Sequence, residues 1–264
     1  MQRWLVPAAA LVLLLTLFGA GCGKGRTVIR VGGSTTVQPL AEKWAEAYEA
    51  KHPNVDIQVQ GGGSTAGIKG CAEGIFDIGA HSRDLKASEL ERWPELKPHA
   101  VARDGVAIIV HPSNPNHVES LTLQEIGEIF ATGSNDKWTV ISREEGSGTR
   151  ETFEKKVMRP FGKKISEKCE FLPSNAAVRE KVSRTPDAVG YLSLGYVDGT
   201  VKTIKVNGIP CTEENVRKGT YPIARSLYLT TRGEAKGEVK KFIEFCLSDE
   251  GQRIAEEEGY IRVR

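Results

Sequence analysis

Three places in this 264-residue chain put Ser and Thr hydroxyls directly after glycine and before a helix-forming stretch. Val28-Ile29-Arg30-Val31 runs into Gly32-Gly33-Ser34-Thr35-Thr36 ahead of a helix near Pro39. Val55 to Val59 runs through Gln60 into Gly61-Gly62-Gly63-Ser64-Thr65 ahead of Ala66-Gly67-Ile68-Lys69. Thr139-Val140-Ile141 runs through Ser142-Arg143 into Gly146-Ser147-Gly148-Thr149 ahead of a helix over Arg150 to Met158. The first N–H groups of a helix lack an intrahelical partner and carry the positive end of the macrodipole, so such an end attracts anions. Glycine permits close backbone approach, and small hydroxyls add donors at little cost in volume. Any one junction also reads as an ordinary N-cap. Three of them converging with the Arg143 guanidinium would hold a small tetrahedral oxyanion without a metal.

Other chemistries fit less well. Gly61-x-Gly63-x-x-Ala66 matches a loose dinucleotide fingerprint with Asp77 and Asp84 downstream, which keeps a dinucleotide-dependent enzyme as the alternative from another class. Gly62 to Gly67 has phosphate-loop spacing, yet Ile68 stands where that loop needs Lys. No Gly-x-Ser-x-Gly occurs, and histidines 52, 81, 99, 111 and 117 show no ligand spacing, so no catalytic residue, metal or cofactor is expected.

The elements that must position these residues alternate short β-rich runs with amphipathic stretches, the βαβ pattern of a parallel or mixed sheet. Leu40 to Ala50 puts Leu40, Trp44, Ala47 and Tyr48 on one face, and Val106 to Val110 is a continuous apolar run suited to a central strand. The loop at 111–116 reads as a crossing between two lobes. Further strands are expected at Val189-Gly190-Tyr191-Leu192 and Leu227-Tyr228-Leu229-Thr230, and a helical C-terminus over Glu234 to Glu258, interrupted near Ser248-Asp249.

Residues 1–22 follow a separate pattern. Arg3 gives a positive start, Trp4 to Phe18 is mostly apolar, and Gly19-Ala20-Gly21-Cys22 closes the segment, as in an export signal. The alternative, an uncleaved anchor, needs about 20 apolar residues to span a bilayer. Without residues 1–22 the chain loses Arg3 and no acid, so 36 Lys+Arg against 34 Asp+Glu falls by one to about +1 net, too little for a nucleic-acid footprint. An exported protein tolerates disulfides; Cys71 and Cys246 read as small buried residues, while Cys169 and Cys211 flank probable strands and leave a bridge open.

Over nearly all of the chain beyond residue 22, the sequence resembles the phosphate-binding proteins of ABC phosphate transporters. The resemblance rests on Gly33-Ser34-Thr35-Thr36-Val37-Gln38-Pro39-Leu40, Gln60 to Gly67, Asp77-Ile78-Gly79-Ala80, Arg143 with Gly146 to Thr149, and Ala188 to Ser193. It implies an α/β, two-lobe periplasmic-binding fold of type II, with 27–111 and 225–264 as lobe I, 112–224 as lobe II, and crossings near 110–115 and 222–228. It further implies inorganic phosphate as ligand, with sulfate and molybdate as rivals, held by Ser34, Thr35, Thr36, Ser64, Arg143, Ser147, Gly148 and Thr149. The segment before Cys22 resembles a lipobox with Gly19 in place of the usual Leu, implying lipidation of Cys22 and a tether in the periplasm or on the outer face of the cytoplasmic membrane. Delivery to a permease with its ATPase and a monomeric state follow from the same likeness. Many relatives place an aspartate where this chain has Ser82, to accept a hydrogen bond from protonated phosphate. Asp104 is the expected replacement, or else the cap of a turn, and Arg83 either adds charge nearby or pairs with an acid.

Overall fold

A computed structural model describes residues 25–263. The expected segment 1–22 and Cys22 lie outside the described residues. Among the described residues ten strands occur in chain order: β1 (Thr27–Gly33), β2 (Val55–Gly61), β3 (Ile78–His81), β4 (Leu96–Val110), β5 (Ser120–Leu121), β6 (Thr139–Arg143), β7 (Glu170–Leu172), β8 (Ala188–Ser193), β9 (Lys202–Val206) and β10 (Ala224–Arg232). The helices are α1 (Gln38–Glu49), α2 (Ser64–Ala72), α3 (Ala87–Arg92), α4 (Leu123–Thr132), α5 (Gly148–Phe153), α6 (Asn175–Arg184), α7 (Glu213–Arg217), α8 (Gly237–Leu247) and α9 (Asp249–Glu257).

The hydrogen-bonded order is β2-β1-β3-β10-β4-β8-β6-β7, with β9 on β4 and β5 on β9. β1 runs parallel to β2 and β3, and β6 runs parallel to β7 and β8, the pattern that βα units produce. β10 and β4 join these two parallel groups by antiparallel pairing.

Two separate hydrophobic cores give the molecule two lobes. One gathers Ile29, Val31, Leu40, Trp44, Tyr48, Ile78, Val101, Ala102, Leu227, Leu229 and the C-terminal Phe242, Ile243, Ala255 and Tyr260. The apolar stripe of α1 supplies Leu40, Ala41, Trp44, Ala45 and Tyr48, and the Trp44 indole donates to the Gly251 carbonyl at 2.7 Å, tying α1 to α9. The other core gathers Val106 to Val110 with Phe130, Val140, Ile141, Phe153, Val178, Val189, Tyr191 and Ile204.

The 15-residue β4 belongs to both cores. Val101 and Ala102 enter the first and Val106 to Val110 the second, so the passage lies at 103–105, inside the strand. That moves the first crossing back from the loop expected at 111–116. The antiparallel pairing with β10 continues through the passage, so the backbone there keeps ladder partners that a loop would give up. The return passes through β10, where Ala224, Arg225 and Ser226 pair with Gly105, Asp104 and Arg103.

Cys169 and Cys211 are buried free thiols rather than a disulfide. Cys169 Sγ contacts the Phe130 carbonyl at 3.6 Å, whereas Cys211 sits beside Gly105 in β4. Among the described residues no helix is long and apolar enough to cross a membrane.

Candidate functional site

Each Gly-Ser/Thr junction forms the strand-to-helix turn its sequence suggests: β1 to α1, β2 to α2, and β6 to α5. At the first, Ser34 Oγ accepts the amides of Thr36 at 3.2 Å and Val37 at 3.4 Å, and Pro39 enters α1 in its first turn, where a missing N–H costs nothing. At the second, Gly63 caps α2 at φ 89°, backbone that a side chain would strain. At the third, Ser147 caps α5 by accepting the Arg150 amide at 3.2 Å. Both serines spend an acceptor on backbone and keep an O–H proton to donate. The expected helix at 150–158 begins at Gly148 and passes into a π-helical turn over Glu154–Met158.

The three turns meet where the lobes face each other. Thr36 Oγ1 lies 3.1 Å from Thr149 Oγ1, and the Thr65 amide donates to the Gly146 carbonyl at 3.1 Å. Ser64 Oγ accepts the Ser82 amide at 3.1 Å and lies 3.3 Å from Ser82 Oγ. A Cβ on Gly148 would fall 2.3 Å from Ser64 Oγ and 2.5 Å from Ser82 Oγ, so only glycine allows this approach.

Arg143, 1% exposed, reaches the same place from the end of β6. Nε and Nη2 grip Glu144 at 2.8 and 2.9 Å, Nη2 also reaches Thr35 Oγ1 at 3.3 Å, and the Leu172 and Pro173 carbonyls accept at 3.1 and 3.2 Å. Nη1 is buried with no hydrogen-bond partner. A buried charged donor left unbonded is costly, so a site that leaves one is built for an acceptor from outside the chain.

A second guanidinium, Arg225, comes from β10. Nε and Nη2 hold Asp104 at 2.9 and 2.7 Å, Nη1 reaches Thr149 Oγ1 at 3.0 Å and Ser82 Oγ at 3.3 Å, and Nη2 reaches Thr36 Oγ1 at 3.2 Å. Asp104 is fully buried, and its other oxygen accepts Ser193 Oγ at 2.9 Å and the Leu194 amide at 3.1 Å. Burial pushes this carboxyl up and Arg225 pulls it back. With four donors on two oxygens, Asp104 holds Arg225 in place; it does not stand open to a proton on the ligand, the role expected of it from the sequence.

The PBP superfamily domain matches residues 20–250. The phosphate-binding protein PstS of Bacillus subtilis is 34% identical over 89% of this chain and 80% of its own length, and PstS of Pseudomonas aeruginosa is 30% identical over 87% and 81%. A Clostridium perfringens phosphate ABC transporter substrate-binding protein, solved with bound phosphate, superposes with a TM-score of 0.84 at 37% identity, covering 90% of this chain and all of that one. The chain belongs to the PstS family.

Within this PstS-family site, Thr35, Thr36, Ser64, Ser82, Arg143, Gly148 and Thr149 are brought together, with Ser34 and Ser147 at the turns beneath them. Arg83 pairs with Glu89 at 2.7 and 2.8 Å, settling its two readings in favour of an acid partner. Sequence reasoning missed Arg225 and three groups that fasten the first turn: Asn175 Nδ2 donates to Thr36 Oγ1 at 2.9 Å, Tyr196 OH to the Thr35 carbonyl at 2.6 Å, and Tyr260 OH to the Thr36 carbonyl at 2.8 Å. Burial pushes the Tyr196 phenol up to about 12 and Tyr260 well above its usual value, so both stay protonated donors at neutral pH. Among the described residues no His/Cys/Asp/Glu group is arranged to hold a metal.

Proposed function

We propose that this chain is an extracytoplasmic solute-binding protein that captures inorganic phosphate between its lobes and delivers it to the permease and ATPase of an ABC importer. The observation that carries this reading is Arg143 Nη1, a buried cationic donor without a protein partner, on a guanidinium whose Nη2 bonds the Thr35 hydroxyl of the first turn. The Bacillus subtilis relative is a phosphate-binding protein, and the Clostridium perfringens relative was solved with phosphate bound.

The action is capture and closure, not turnover. An anion bonded from both sides favours the closed state by differential binding, with the hinge at 103–105 and 224–226. The bonds that already cross the cleft, Thr36 to Thr149, Asn175 to Thr36 and Tyr196 to Thr35, would seal the ligand from water. The protein acts as a monomer, held at the membrane through Cys22; replacing Cys22 with Ala should release it into the soluble fraction.

Calorimetric titration with phosphate, sulfate and molybdate tests the ligand. One phosphate should bind per chain and be recovered unchanged. A protein indifferent to phosphate would end the proposal.

A further inference from the structure

Two grooves flank the closed cleft, one on each side of the contact between α2, the loop after β3 and α5. They are of similar size, about 630 and 640 Å³, and carry very different charge. The walls of the second hold Lys69, Lys86 and Arg150 against Glu145, Glu151 and Glu154, a balanced set. The rim of the first holds Lys86, Arg103, Lys155, Lys156 and Arg159 against Asp84 and Glu151. Both of those acids are already engaged, Asp84 by Lys155 at 3.2 Å and Glu151 by Lys86 at 3.1 Å and Arg159 at 2.6 Å. Among the described residues Lys156 and Arg103 have no carboxylate within ion-pair distance, and Arg103 bonds only carbonyls, of Val216, Arg217 and Ile261.

The inner wall of the first groove is formed by Arg225 and Thr152. Arg225 is the guanidinium that bonds Thr36 and Thr149, and Thr152 Oγ1 contacts the Ser82 carbonyl at 3.4 Å. The excess positive charge thus lies along a direct line to the site. Its members come from both lobes: Lys86 from the segment after β3, and Lys155, Lys156 and Arg159 from the turn after α5. The same groove is lined by Arg103, Ala224, Arg225 and Ser226 of the hinge strands, so its cations stay close to the site as the lobes part.

We propose that the groove rimmed by Lys86, Arg103, Lys155, Lys156 and Arg159 is the surface that first concentrates the oxyanion beside the cleft. The inference rests on the phosphate reading above and adds a rate to it. A cleft lined by one sign of charge focuses the field and raises the capture rate of an oppositely charged ligand by roughly 10-fold or more. Exposed charges act this way only while salt does not screen them, over about 30 Å at 0.01 M ionic strength and about 8 Å at 0.15 M.

The test is stopped-flow phosphate binding at those two salt concentrations, followed by intrinsic fluorescence, with the full exported chain. For the wild type the association rate should fall roughly ten-fold from low to high salt, with the dissociation rate little changed. Lys156→Glu should slow association at low salt by about three-fold and flatten the salt dependence, with Lys156→Gln between it and the wild type. Lys69→Glu, the same charge change on the balanced groove, should leave the association rate as it was. Association unaffected by Lys156→Glu, or slowed equally by Lys69→Glu, would overturn the inference while leaving equilibrium phosphate binding, and so the proposed function, intact. A wild type that binds no phosphate at either salt concentration would overturn both.

Discussion

Asp104 and Arg225 are direct register partners on antiparallel β4 and β10, and they meet where both strands pass from one core to the other. The pair therefore joins the hinge to the ligand site: its acid lies under the hinge strand, and its guanidinium touches Thr36 from one lobe and Thr149 from the other. Both side chains are buried, so removing one leaves an uncompensated charge. Asp104→Asn and Arg225→Gln should each cost about 3–5 kcal/mol in urea unfolding, and the double variant should recover much of that loss. Additive losses in the double-mutant cycle would mean that the two residues act separately.

Arg143 has a different dependence on geometry. Its fork is fixed by Glu144 and two carbonyls, and the remaining Nη1 is directed by that planar frame. Lysine would keep the charge and lose the frame. Arg143→Lys should weaken phosphate binding by about 1.5–3 kcal/mol, roughly ten- to hundred-fold, with the unfolding midpoint changed far less. Calorimetry showing wild-type affinity in this variant would remove Arg143 from the site.

The three turns were legible because each is local: glycine, hydroxyl and helix start are consecutive, and the physics of a helix end acts within a few residues. Arg225 and Asp104 depend on partners far away in sequence, yet their strands carried a readable signal. Arg225 alternates with Leu227 and Leu229 on the inward face of β10, and Asp104 with Ala102 and Val106 on that of β4. A charge at an inward position demands a buried partner. Val106 to Val110 was visible as a strand because it is uniformly apolar. The ten residues before it were not, because Lys97, Pro98, His99 and Arg103 face or approach solvent and break the run. Asn175, Tyr196 and Tyr260 look like ordinary helix, turn and C-terminal residues; only the assembled fold points them at the Thr35–Thr36 turn.

Gly148 allows the lobes to meet at Ser64 and Ser82. Gly148→Ala would put a methyl carbon against both hydroxyls, and each belongs to a fixed turn. Overpacking of this kind costs about 1–3 kcal/mol, here charged against closure, since the opposing atoms belong to the other lobe. Phosphate affinity should fall by roughly ten-fold or more, and small-angle scattering with saturating phosphate should show a less compact particle than the wild type. Full compaction with phosphate would refute the assignment.

His81 sets an acid limit on this arrangement. The ring is fully buried at the end of β3, next to Ser82, with Nδ1 on the Arg83 carbonyl at 2.6 Å, Nε2 on Thr230 Oγ1 at 2.5 Å, and its face stacked on Tyr228. Burial pulls its pKa from 6.5 down to about 4, the Arg83 carbonyl and the acids Glu89 and Asp84 opposing that shift and the Arg83 charge adding to it. The unfolded chain therefore binds a proton through this window while the folded chain does not, so stability falls as pH drops from 6.5 to about 4 and levels off below. The shift corresponds to about 3 kcal/mol. Burial lowers His99 as well, so the useful quantity is the difference between the wild type and His81→Gln. Urea midpoints at intervals from neutral pH to about pH 4 should decline less steeply in His81→Gln than in the wild type. Parallel declines would place the acid sensitivity elsewhere, for example in Asp84, Glu89 and Glu151, whose carboxyls are held below their usual values and lose their contribution as pH falls through the ordinary carboxylate range.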